Sequence, residues 1–495
     1  MALPDDSDVL AWVEYLARVH DADRPQLQLR NDLYEGTAPL HYLHPDVLRE
    51  VEDRIQTVAL GWPSLAVDPL EERLDILGFR YPEDGKPDPD VDPEDLASAS
   101  GDENLQRVWQ ENDLDEESQM GHIDAFVMRR AYATVGVQDD GGTDMPLVTV
   151  ESPLEMFALI DPRTRQVRAA LRRWTEEYDL LKATAPMQYA TLYLPNSTTW
   201  FDRGPQGWRE TGRDEHMVGQ PLVAALTNRG RLADRYGKSE LTPALLSLSH
   251  AANKVATDMM VAAEFHAIPL RAIFGAGPDD FQDQNGTPLS PTQVLMSRIL
   301  AVPNGPAGED PVRAHEFTSS SLTNFHDTIA QLGRLASGLV GVDPSVMGFT
   351  AGDNPASADA LRAREVRLIK RAERKQRAFG GGWERAMQLV RRIQEGDWDP
   401  QARRLETIWR DAATPTRAQA ADAAAKLVAA SLIPIQQGRE DLGYTPSQQR
   451  RMDAWDQVNA SRSDLGMLTQ AAGRGLPEEI PGAPGDPGTE PPAAE

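Results

Sequence analysis

The chain has 495 residues, 50 Lys and Arg against 77 Asp and Glu, a formal net charge of −27 and no cysteine. This excludes a disulfide framework, cysteine-ligated zinc and thiol chemistry, and the acidic balance opposes a protein that coats nucleic acid. It does not oppose a protein through which a polyanion slides, because an acidic lining leaves no deep electrostatic wells along the path.

The N-terminus carries acid where a signal peptide carries base, and no apolar run approaches ~18 residues, so the chain is expected to be cytosolic when made and not to span a membrane. Residues 1–60 read as helices broken by turns, ending in the amphipathic run HYLHPDVLREVEDRIQTVAL. In WPSLAVDPLEERLDILGF, from Trp62 to Phe79, a short apolar segment precedes a helix started by Asp68-Pro69. Val91 to Gln119 is very acidic and reads as a surface helix and loop. From Ala125 to Trp174 the pattern changes to short β-rich runs, and YATLYLPNSTTWFDRGPQGWRET continues it around turns at Asn196 and Gly204-Pro205.

Gly237-Lys238-Ser239 invites a nucleotide-binding reading, but the phosphate-cradling loop needs a glycine where Leu232 stands. The segment instead leads into a helix with Thr242 as N-cap and Pro243 at the first position, carrying a stripe of Leu245, Leu248, Ala252, Val255, Met259 and Ala262. Residues 267–318 read as a small subdomain. A second helix follows, with N-cap oxygens among Ser319 to Ser321 and Leu322, Phe325, Ile329, Leu332, Leu335, Ala336 and Leu339 on one face.

The turn formers Gly341, Asp343-Pro344, Gly348, Gly352 and Asn354-Pro355 then stop the helix. From about Ser357 a new helical pattern runs to Gln394, ~57 Å at 1.5 Å per residue, with a kink allowed at Gly380 to Gly382. Its first half is basic: Arg362, Arg364, Arg367, Lys370, Arg371, Arg374, Lys375 and Arg377 stand against Glu365 and Glu373. Such a face either pairs with acids of its own chain or meets a polyanion or an acidic neighbouring subunit. RRLETIWRDA reads as a strand, residues 414–458 as a helical hairpin capped at Thr414-Pro415 and Thr445-Pro446, and the tail from Gly475 as disordered.

No catalytic, cofactor-binding or metal-binding constellation is expected. His20 with Asp23 is the cluster that comes nearest to a metal site, and a solvated role suits it better; no HExxH, GxSxG or strand-borne GxGxxG occurs.

Several stretches together resemble the portal proteins of tailed bacteriophages, in particular those of actinobacterial phages. They are Tyr34-Glu35-Gly36, SLAVDPLEERLDILGFR (64–80), the Gly219 to Val223 run leading into GKSEL (237–241), IPLRAIFG (268–275) and GFTAGDNPASADALRAREVRLIKRAERKQRAFGGGWERAM (348–387). The resemblance implies an α+β, mainly helical subunit with wing, stem, clip and crown, closing into a ring of about twelve copies at one capsid vertex of the virion. Double-stranded DNA would pass through this ring, without sequence preference, during packaging and ejection.

It implies the following layout: residues 1–242 as N-terminal region and α/β wing, 243–266 and 319–341 as stem helices, 267–318 as clip, and 342–355 as tunnel loop. Residues 356–412 would be the long wing helix and return strand, 413–470 the crown, and 471–495 a disordered tail. Asp343, Ser345, Met347, Thr350, Asp353 and Asn354 would line the channel, and Arg367, Lys370, Arg371, Arg374 and Lys375 would bridge subunits. Expected partners are other copies of the chain, the large terminase, a head-to-tail adaptor, and capsid and scaffold proteins, with no membrane and no cofactor. The competing readings are a capsid or scaffold component without a channel and, behind it, a P-loop motor.

Overall fold

The computed structural model describes residues 3–5, 7–38, 58–81, 102–137, 145–175, 187–266, 271–274, 299–302, 313–316, 322–348, 358–413 and 417–473. The fold is α+β. Helix α1 (Val9–Glu35) runs unbroken through Pro25, where turns were expected. It holds because Trp12, Val13 and Leu16 sink into one face of a β-meander, against Phe157, Leu171, Leu192 and Phe201. That meander is fully antiparallel, β4 (Met156–Ile160), β5 (Val167–Thr175), β6 (Gln188–Leu194), β7 (Ser197–Gly204) and β8 (Gly207–Asp214) in spatial order. The strands β6 and β7 join through Pro195-Asn196, and β7 and β8 through Pro205-Gln206, turns where the sequence signalled them.

A second, three-stranded sheet holds β2 (Arg130–Val137) between β3 (Pro146–Glu151) and β9 (Val223–Thr227). Helix α2 (Glu103–Glu111) packs on α3 (Leu114–Met128), and α3 covers this sheet, the two having been expected as acidic surface and the start of the β-rich run. The acids lie on the outer side of these helices, while Leu105, Val108, Trp109 and Leu114 at helical spacing are buried. Strand β1 (Ile76–Arg80) pairs antiparallel with β13 (Glu406–Trp409), so the chain segment after the long helix returns to the N-terminal region.

The long helix α6 (Ala358–Glu395) is the spine. It passes between these two sheets with Phe379, Trp383, Ala386, Met387 and Val390 fully buried. The Trp383 ring meets Trp109 at 5.0 Å, and its Nε1 donates to His122 Nε2 at 3.0 Å. Burial pushes the His122 imidazole down to about 3, so it stays a neutral acceptor at any physiological pH. The helix continues unbroken through the three glycines. A Cβ on Gly382 would lie 2.8 Å from Leu226 Cδ2 and 3.0 Å from the Ala225 carbonyl, so the residue exists to let the helix lie directly on β9.

Helix α4 (Pro243–His266) packs along helix α5 (Thr323–Val340). Thr242 caps α4 as expected, its Oγ1 accepting from Leu245 N–H at 3.3 Å. The buried face of α4 is turned from the expected stripe, however: Leu245, Ser249, Ala252, Asn253, Ala256 and Thr257 face inward, and small and polar side chains let the two helices approach. On α5 the inward residues are Ile329, Gly333, Ala336, Ser337 and Val340, leaving Leu335 51% and Leu339 45% exposed. The serines expected to cap α5 lie outside the described residues. Between α4 and α5 the described strands Arg271–Phe274 (β10), Ile299–Val302 (β11) and Arg313–Glu316 (β12) form a separate sheet, β10 central, parallel to β11 and antiparallel to β12. The C-terminal region holds three helices, Arg417–Ala429, Ile435–Asp441 and Pro446–Gly473, where a two-helix hairpin was expected. Ser431, at φ +55°, breaks the first from the second.

The glycine run makes a matched test. Gly382→Ala should destabilise the fold by about 1–3 kcal/mol through overpacking. Gly381→Ala, whose Cβ meets nothing within 4 Å, should stabilise it by up to about 1 kcal/mol through helix propensity. Denaturant midpoints of the two variants moving in opposite directions is the outcome to check.

Candidate nucleic-acid interface: the loop after α5 and the basic helix

Helix α5 ends where Gly341 takes φ +83°, its N–H bonding Ser337 O at 2.7 Å, with Val342 N–H reaching the same carbonyl at 3.2 Å. The left-handed conformation needs glycine, and the space above it is already filled by the Arg367 side chain, 3.2 Å from where a Cβ would stand. The following turn is tied internally, Asp343 Oδ1 accepting from Ser345 N–H at 2.9 Å and from Ser345 Oγ at 2.7 Å. Ser345 is exposed. Met347 is not: it is 5% exposed and belongs to the main core together with Val342. Its flexible apolar side chain fills the space under the turn, which removes it from the set of residues expected to touch a duplex. Thr350, Asp353 and Asn354 lie outside the described residues.

The basic helix divides into two faces. Arg367, Arg371 and Lys375 follow each other at four-residue spacing on the side that meets α5 and Glu240, Arg367 exposed, Arg371 half-buried and Lys375 buried. The Arg367 guanidinium donates to Gly338 O at 2.6 Å and Leu339 O at 3.5 Å, and Arg371 donates to Val340 O. These are the carbonyls that the end of α5 leaves without helical partners, at the negative end of its dipole, so two cations cap that end. Arg371 also pairs with Glu240 at 2.6 Å, and Lys375 Nζ reaches both Glu240 Oε1 and Asn228 Oδ1 at 2.5 Å. The expected bridge to other subunits is thus corrected for these three residues. Their charges are taken up within the chain because Glu240 and the carbonyls of α5 stand directly opposite them.

Glu240 itself is held by the turn that the Gly237-Lys238-Ser239 stretch builds. Gly237 sits at φ +81°, and a Cβ there would stand 2.1 Å from the Arg129 carbonyl oxygen. Lys238 N–H donates to Asn228 O, and the Asn228 amide donates to Lys238 O at 2.7 Å and Glu240 Oε1 at 3.0 Å. Burial alone would raise the Glu240 carboxyl, but Lys375 and then Arg371 outweigh it and leave the group lowered to about 2. Neither Glu240 nor Asn228 was singled out from the sequence, although Glu240 lies within the GKSEL stretch.

The other face is open. Lys370 pairs along the helix with Glu373 at 2.8 Å and is 63% exposed, Arg377 is 78% exposed, and Arg374 is exposed. The pair once resembling metal ligands has structural work: Asp23 pairs with Arg129 and Arg130, and His20 Nε2 bonds Pro153 O at 2.9 Å. Burial above all pushes His20 down to about 4.

The acid dependence of the Glu240 cluster has a definite sign. A carboxyl whose folded value is lowered contributes stability fully above its unfolded value and loses it as pH falls through the folded one. Glu240→Gln should cost about 3 kcal/mol at neutral pH. The gap to the unsubstituted chain should stay constant down to the ordinary glutamate range and close as pH approaches about 2. Urea midpoints taken along a pH series measure it.

Comparison with known proteins places these features in a family. Residues 13–449 match the family described as phage portal protein, SPP1 Gp6-like. The portal protein of Mycobacterium phage D29 is 38% identical over 417 residues, covering 83% of this chain and 81% of that protein. The portal protein of Mycobacterium phage L5 is 36% identical over 463 residues, covering 92% and 89%. Among solved structures, a chain in the virion of a native gene transfer agent particle aligns with 84% of this chain at 14% identity and a TM-score of 0.39. Another, in the neck of the native particle computed with C12 symmetry, covers 81% at 14% identity and a TM-score of 0.36.

Proposed function

The chain belongs to the phage portal protein family, a family of structural channel proteins and not of enzymes, and from that premise we propose that it forms a closed ring of about twelve copies at the portal vertex of the virion. Duplex DNA passes through the ring, and the ring's narrow end docks the large terminase during packaging and a head-to-tail adaptor afterwards. Each subunit meets its neighbours through two different surfaces, so closure depends on the rotation per contact.

The observation that carries this reading is the helix pair α4 and α5 with a separate small sheet between them. The pair packs on itself through small and polar residues and leaves Met260, Leu335 and Leu339 between 45% and 51% exposed. Apolar side chains repeated along one helix face call for a partner, and in a ring the neighbouring helix pair supplies it. On this assignment α4 and α5 are the stem and residues 267–318 the clip. Residues 342–355 form the tunnel loop, α6 and β13 (within 356–412) the long wing helix and its return strand, and residues 413–470 the crown. The remaining layers, within residues 1–242, form the wing, which also faces capsid and scaffold proteins.

In the tunnel loop, Ser345, Thr350 and Asn354 touch the duplex loosely, and Asp343 and Asp353 keep phosphates from adhering. Subunit bridging falls to Lys370 and Arg374 on the open face of α6. Mass measurement and negative-stain images of the purified chain should give closed rings; monomers or dimers under every assembly condition would exclude the reading. Shortening residues 349–354 should leave rings intact while particles fail to retain full-length DNA. Lys370→Glu with Arg374→Glu should lower ring mass without lowering subunit stability, which sets these residues apart from the Glu240 cluster.

A further inference from the structure

Two adjoining clefts open where the turn after β4, the end of β9 and the middle of α6 meet. The first, about 410 Å³, is lined by Arg165, Arg229, Arg377 and Arg385 and floored by Gly381 and Gly382. The second, about 430 Å³, is lined by Arg165, Arg229, Arg231 and Arg235, with Asp234 as its one carboxylate. Because Arg165 and Arg229 border both, the two form one trough with cations along its whole length.

Such a concentration is out of keeping with a chain of net charge −27. Arg377 has a loose partner in Glu373 at 3.9 Å, while Arg165, Arg229, Arg231, Arg235 and Arg385 form no ion pair among the described residues. The cations also oppose one another. Loss of water and then the charge of Arg165 push Arg229 down, and loss of water and then the charge of Arg229 push Arg385 down. Like charges held together without partners are a standing repulsion that an anion relieves. Gly382 lets α6 lie on β9, and Gly381, where a Cβ would meet nothing within 4 Å, leaves the floor clear for a ligand.

We propose that this trough binds the phosphodiester backbone of duplex DNA, as a second contact separate from the loop after α5. This rests on the reading of the chain as a DNA channel subunit. The guanidinium fork suits phosphate oxygens. A line of six arginines over two joined clefts matches a polymer with charge repeated every few ångströms along each strand better than it matches a single ion or carboxylate. Contacts of this kind carry no base information, so the binding is independent of sequence.

The test uses the full chain and its Arg229→Gln/Arg385→Gln variant with a short fluorescent duplex, titrated at several salt concentrations. The variant should keep the oligomer mass and thermal midpoint but bind the duplex more weakly, with the slope of log affinity against log salt shallower by about 1.8, at about 0.9 per lost phosphate contact. Inorganic phosphate should compete no better than chloride at equal ionic strength. Where the double variant fails to fold, Arg165→Gln on its exposed turn repeats the measurement, with a slope change of about 0.9. An unchanged slope overturns the proposal. So does displacement by low millimolar phosphate, which would make the trough a free-ion site. Loss of oligomer mass with an unchanged slope also overturns it, since the trough would then seat an acidic surface of a second copy. If the unsubstituted chain forms no ring, the ring reading fails, and the same titration on the subunit still decides the trough.

Discussion

A single carboxylate joins three distant parts of this subunit. Glu240 leaves the turn that follows β9, accepts from Lys375 and Arg371 on the long helix, and through Arg371 is tied to the last carbonyl of α5. Removing such a group from water is unfavourable, and it is tolerated only because two cations and the Asn228 amide surround it with well-placed donors. The cost of the arrangement gives it its specificity. A carboxylate this poorly hydrated cannot slide to an alternative partner, so the end of α5 has one position relative to α6. The chain therefore leaves α5 from a fixed point at Gly341, and α6 is itself anchored on two sheets.

That anchoring also explains which parts of the fold the sequence made legible. Helix α6 was read to within a residue of both ends because its apolar positions keep helical spacing for ten turns and turn formers precede it. The β-meander was readable from Asn196 and Gly204-Pro205, since tight turns demand particular residues wherever they occur. The partition of the basic face was not readable. The spacing of Arg367, Arg371 and Lys375 is plain, but what lies opposite is Glu240, 131 residues away from Arg371 in sequence, and nothing local announces a contact of that range. The acidic segment failed for another reason. Net charge describes a whole segment, whereas burial is decided one face at a time, and Leu105, Val108 and Trp109 form a complete apolar face among their acidic neighbours.

Apolar spacing misled in the opposite direction on α5. Leu335 and Leu339 share the pattern of Ile329 and Ala336, yet they are exposed in the single subunit. Helical periodicity records that a face is shielded from water and not which molecule shields it. The same limit applies to Met347, whose place in a loop of turn formers suggested exposure, while the tight turn around Asp343 and Ser345 folds it back onto the core.

The charge distribution makes a consistent physical case when subunits of like sign are brought together. Copies each carrying −27 repel, and at physiological salt that repulsion is screened beyond about 8 Å. Association is therefore decided at contact distance. At that distance the open face of α6 offers Lys370 and Arg374, and the helix pair offers Leu335, Leu339 and Met260. Acids spread over the surface keep a polyanion from adhering generally, while the few concentrated cationic surfaces choose where attraction is allowed. Arg371 and Lys375 are neutralised by the chain itself; on the proposed ring Lys370 and Arg374 would face other copies, and the arginine trough beside β9 would be a separate place for a phosphate backbone to rest.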